Sequence, residues 1–175
     1  KVEDLPIESQ AIALRGLARA LARTDVDGAL EIAAQSDPNA KRDVYREVAR
    51  TLTYENTTRA IAMLDDPGFA AVLGDEFRSQ MIDHAVRTWA AKDIDAARVW
   101  VENLNQKDLL KGVQGLMNPW MKSDPVAASE WLSKQAPGPA RDAGARVLID
   151  QIKNTDPQMA EQWRKSLSQQ PTGQK

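Results

Sequence analysis

A short polar residue stands in front of an alanine-rich segment five times along this chain, at Asp25, Asn56, Asp93, Asp124 and Asp156. The intervals are 31, 37, 31 and 32 residues. Asp and Asn cap helix starts because their side-chain oxygens accept the backbone N–H groups that the first turn leaves without partners. Proline follows at Asp124-Pro125 and Asp156-Pro157, where its missing donor costs nothing. Asp37-Pro38 and Asp66-Pro67 have the same form and are expected to open the alternate helices. A unit that recurs this regularly cannot bury its apolar face alone, and stacking on its neighbours supplies the core.

The positions around the cap repeat as well. Four residues after it stands alanine each time: Ala29, Ala60, Ala97, Ala128 and Ala160. A side chain that small at one fixed place implies close approach of a neighbouring helix. Seven residues after the cap come Ile32, Met63, Trp100, Trp131 and Trp163, and four before it come Leu21, Leu52, Trp89, Trp120 and Ile152. Each pair is 11 residues apart and straddles the turn, so the two large side chains are expected to meet there. Core packing accounts for the tryptophans without an aromatic ligand cage.

Two helices build each unit. The A helices run over 26–35, 94–103, 126–134 and 157–168, and the longer B helices over 6–23, 38–52, part of 69–91, 107–122 and 139–154. Pro, Gly, Asp and Asn mark the short connections. The 37-residue interval reads as an insertion around 68–76, an extra turn broken at Gly74. Asn118-Pro119 is expected to kink the end of a B helix. The expected fold is therefore all-α: a right-handed alpha-alpha superhelix, or solenoid, of about five helix-turn-helix repeats over 6–168, with a disordered tail at 169–175. The first B helix has no A partner and the last A helix no B partner. That fits either a fragment of a longer array or terminal helices that serve as caps, and it leaves self-association through unsealed terminal repeats as an expectation.

Unit length, helix pairing and the D-P-x-A-A-x-x-W phrase at 124–131, echoed at 93–100 and 156–163, resemble bacterial alpha-helical repeat proteins of the broad tetratricopeptide-like or HEAT-like class. The W-x-x-L-G-x-x-Y opening of the tetratricopeptide consensus is not found in register. The resemblance implies a scaffold whose grooves hold proteins or peptides.

Composition narrows the function classes. No cysteine is present, which removes disulfides, thiolate catalysis and Cys-ligated zinc. The net charge of −2 gives no global pull toward nucleic acid or anionic membrane. No apolar run approaches the roughly 20 residues of a membrane span. The compartment stays open between cell envelope, periplasm and cytoplasm.

Catalytic constellations are weak. His84 stands alone beside Asp83, which points elsewhere on a helix, and no G-x-S-x-G elbow is present. Asp65-Asp66 and Asp75-Glu76 fall in and beside the insertion, where helix starts favour acids. Gly112 and Gly115 lack the lysine of a phosphate loop. No enzyme activity, catalytic residue, metal or cofactor is expected.

A column of arginines lies outside the packing pattern. Arg19, Arg50 and Arg87 stand six residues before successive caps, and Arg15 and Arg46 precede the first two by one turn. Stacked repeats would line these five up as a basic stripe for carboxylate or phosphate, and an acidic peptide could lie along it. The alternative is a solvated face neutralised by acids such as Glu31 and Glu47. The expected function is a non-enzymatic protein- or peptide-binding scaffold. Behind it stand a structural or accessory domain of a larger envelope protein or enzyme and, further back, a HEAT-like nucleic-acid or glycan-acting enzyme.

Overall fold

The computed structural model describes residues 6–34 and 36–168; the side chains of Ile7, Glu8, Ala11, Arg15 and Arg19, and the tail expected to be disordered, lie outside the described residues. The described chain is all-helical. Its eleven helices are α1 (Ile7–Thr24), α2 (Val26–Ala34), α3 (Pro38–Glu55), α4 (Thr57–Asp65), α5 (Pro67–Leu73), α6 (Asp75–Ala90), α7 (Ile94–Glu102), α8 (Gln106–Ser123), α9 (Pro125–Ser133), α10 (Pro139–Ile152) and α11 (Pro157–Ser166). They fall into two compact units, Lys1–Ala85 and Val86–Lys175, with the boundary inside α6.

All five expected caps form. Asp25, Asn56, Asp93, Asp124 and Asp156 each accept the backbone N–H three residues on, at 2.9, 3.1, 3.0, 3.0 and 2.9 Å. Asp37 and Asp66 cap α3 and α5 in the same way. Asn105 is a further cap, on α8, that the repeat pattern does not mark. Pro119 sits inside α8, which runs on to Ser123.

In the first unit α3 is the central helix, packing against α1, α2, α4 and α5. In the second unit α10 packs along α8, with α9 and α11 beside it. The alanines four after the caps are buried throughout, none more than 1% exposed. At the position eight before the cap, Val48, Ala85, Leu116 and Leu148 are fully buried, whereas Leu17 is 38% exposed, with Ile12 of α1 also open. Glycine permits close approach at two places in the second unit: a Cβ on Gly112 would stand 2.5 Å from Leu104, and one on Gly144 2.7 Å from Leu132.

The tryptophan pairs meet across their turns as expected, Trp89 with Trp100 at 6.4 Å between ring centroids and Trp120 with Trp131 at 5.6 Å. Their burial is less complete than core packing implies. Trp120 is buried, while Trp89, Trp100, Trp131 and Trp163 are half-buried. The indole of Trp131 donates a 2.7 Å hydrogen bond to Glu102, and Trp163 lies under the Arg141 guanidinium at 5.1 Å. Trp131 thus packs its ring on Trp120 and satisfies its polar edge at Glu102, as amphipathic aromatics do.

The long interval is resolved as a helix of its own. Asp66 caps α5, and Gly74, at φ 78°, ends it in a left-handed conformation that glycine adopts without the Cβ penalty. Phe69, buried, stacks on Tyr45 of α3 with centroids 4.1 Å apart. This contact holds the insertion on α3 and sets where α6 begins.

Candidate functional site

Arg46 and Arg50 are one helical turn apart on α3 and share a ring. The Arg46 Cζ lies 5.3 Å from the Phe77 centroid and the Arg50 Cζ 5.7 Å from it. Phe77 is in the first turns of α6 and is 8% exposed, so the two cations cover an otherwise buried aromatic. Cation–π attraction holds each guanidinium over the ring. Neither arginine forms an ion pair among the described residues. The Arg46 Nε is buried without a hydrogen-bond partner among them, a donor whose need is unmet.

Beside the pair is a cleft of about 400 Å³, lined by Arg46, Arg50, Phe77 and Gln80 together with Asp75 and Glu76 at the start of α6. Arg50 also borders a second cleft of about 240 Å³ that includes Arg23, Glu47, Tyr54 and Glu55. Tyr54 is 61% exposed and meets the half-buried His84 edge-on, with centroids 4.9 Å apart. Arg46, Arg50 and Tyr54 of α3 thus follow one another along a face flanked by Phe77 and His84 of α6.

Of the five arginines in the expected stripe, the structure brings Arg46 and Arg50 together. The side chains of Arg15 and Arg19 lie outside the described residues. Arg87 is an exposed residue of the second unit and is already engaged in an interaction of its own. Among the acids expected to neutralise the stripe, Glu47 likewise has a partner.

Phe77 and Tyr54 are the participants that the repeat pattern does not reveal. Phe77 stands sixteen residues before its cap, where the other units have Ser9, Ala40, Asp108 and Ala140. An aromatic at a position that is otherwise small or polar was the available signal.

Glu102 accepts hydrogen bonds from Trp131 and Arg98, and the bond from the Trp131 indole is the main cause that holds its carboxyl below the usual range. Arg141 donates to the Ser166 carbonyl, and buried Asp142 accepts from the Ser168 N–H, tying the end of α11 to α10. No group of three or more His, Asp or Glu residues could hold a metal among the described residues. No described helix is long and apolar enough to cross a membrane. Neither a family model, nor a curated protein, nor a solved structure matches the chain.

Proposed function

We propose that this chain is a non-enzymatic helical-repeat scaffold, a right-handed alpha-alpha superhelix of about five units, that binds an acidic peptide segment of a partner protein in the first unit. The caps, the buried alanines and the cross-turn aromatic pairs support the repeat reading. The resemblance to the tetratricopeptide-like and HEAT-like class supports the scaffold role.

One observation carries the site: two guanidiniums over the Phe77 ring beside a cleft, neither ion-paired among the described residues. A carboxylate accepting from such a fork forms charge-assisted hydrogen bonds, stronger than neutral ones. Acids in the lining fit a peptide better than nucleic acid, whose phosphates would need a continuous basic surface.

Fluorescence polarisation with labelled seven-residue peptides of two glutamates, one phenylalanine and four glycines tests this reading. The glutamate peptides should bind, and their glutamine counterparts should not. Arg46→Gln combined with Arg50→Gln should weaken binding about tenfold or more, since each hydrogen bond to a charged group contributes about 1.5–3 kcal/mol. Equal binding of the glutamate and glutamine peptides would overturn the proposal.

A further inference from the structure

We propose that this site reads a register as well as a charge: an extended segment of the form acid–x–acid–x–aromatic, lying along α3. The inference rests on the acidic-peptide reading above and adds to it a spacing and an aromatic anchor.

The spacing of the side-chain origins follows from the two backbones. Arg46, Arg50 and Tyr54 are four residues apart in turn on α3. Four helical residues advance about 6 Å. Two residues of extended chain advance roughly 6.6–6.8 Å. Alternate side chains of a strand point the same way. An extended ligand can therefore place every second side chain opposite Arg46, Arg50 and Tyr54, and the mismatch over both steps stays within about 2 Å.

The chemistry assigns the order. Arg46 and Arg50, fixed on Phe77, take the two carboxylates. Tyr54, mostly exposed and braced by His84, offers its ring to an apolar or aromatic side chain. Glu76 lines one cleft and Glu55 the other, so a carboxylate that is not seated on an arginine has an acid beside it. Repulsion of wrong arrangements is as much a source of specificity as attraction of the right one.

Two peptides of one composition separate the register from the charge: G-E-G-E-G-F-G, which alternates, and G-E-E-F-G-G-G, which does not. The alternating peptide should bind the full chain about tenfold more tightly, as expected when one charge-assisted hydrogen bond is lost from the other. On Tyr54→Ala, replacing the alternating peptide's phenylalanine by alanine should cause no further loss, whereas on the unaltered chain it should weaken binding. Equal affinity of the two peptides, with both sensitive to Arg46→Gln and Arg50→Gln, would overturn the register and leave the acidic-peptide site standing. Failure of both peptides to bind would overturn both. Circular dichroism of each variant separates lost binding from lost folding.

Discussion

Gly144→Ala adds one methyl where the structure has no room for it. The new Cβ would lie 2.7 Å from Leu132 Cδ1, 2.8 Å from Val113 Cγ1 and 3.3 Å from Met117 Cγ. Leu132 and Met117 are fully buried and Val113 is 2% exposed, so none can turn outward, and the β-branched valine has little rotamer freedom. Overpacking of this kind costs about 1–3 kcal/mol. Against it stands the helix preference of alanine over glycine, about 1 kcal/mol. The net expectation is a loss of about 1 kcal/mol, or roughly 2–4 °C in Tm for a chain of this size. Gly16→Ala in α1 is the matched control. Among the described residues nothing lies within 4 Å of its added Cβ, so only the helix preference acts. Thermal melts followed by circular dichroism should move in opposite directions, down for Gly144→Ala and up by up to about 1 kcal/mol for Gly16→Ala. A Gly144→Ala melt raised as far as that of Gly16→Ala would refute the close packing of α10 against α8 and α9.

Leu148→Ala, at a fully buried position, should cost about 2–5 kcal/mol in denaturant melts, whereas Leu17→Ala at the equivalent but 38% exposed position should cost under about 1 kcal/mol. Asp124→Ala removes the acceptor of the Ala127 N–H and should lower stability by about 1 kcal/mol in the same assay. Glu102 has a depressed folded pKa, so its contribution is present above the unfolded value and lost as pH falls through the folded one. That loss should lie below the ordinary value of 4.5, and Trp131→Phe should move the Glu102 carboxyl back up toward it in an NMR titration.

What the sequence makes legible is what its local pattern encodes. A cap needs only its own side chain and the next three N–H groups, so Asp25, Asn56, Asp93, Asp124 and Asp156 were readable one by one. Ala29 and its counterparts, and the pairs across each turn, follow from a register that repeats. The tryptophans show where this stops. Their mutual contact is a matter of spacing, but their burial depends on which further side chain covers them, such as Glu102 at Trp131 or Arg141 at Trp163. The candidate site lay further from view. Arg46 and Arg50 stand out in the pattern, yet their meeting with Phe77 depends on the insertion. Helix α5, clamped by Phe69 on Tyr45 and ended by Gly74, displaces the start of α6 from the regular interval. Contacts between residues some thirty positions apart, through an irregular segment, have no periodic signature.

The central claim is that the Arg46–Arg50–Phe77 face of the first unit is where a ligand binds. Amide and side-chain NMR shifts of the labelled chain, recorded while the alternating glutamate–phenylalanine peptide is added, test it most directly. Saturable shifts concentrated at Arg46, Arg50, Tyr54, Phe77 and His84, and abolished by Arg46→Gln with Arg50→Gln, are the predicted result. Shifts that map to the second unit, or a spectrum unchanged at peptide saturation of the solution, would contradict it.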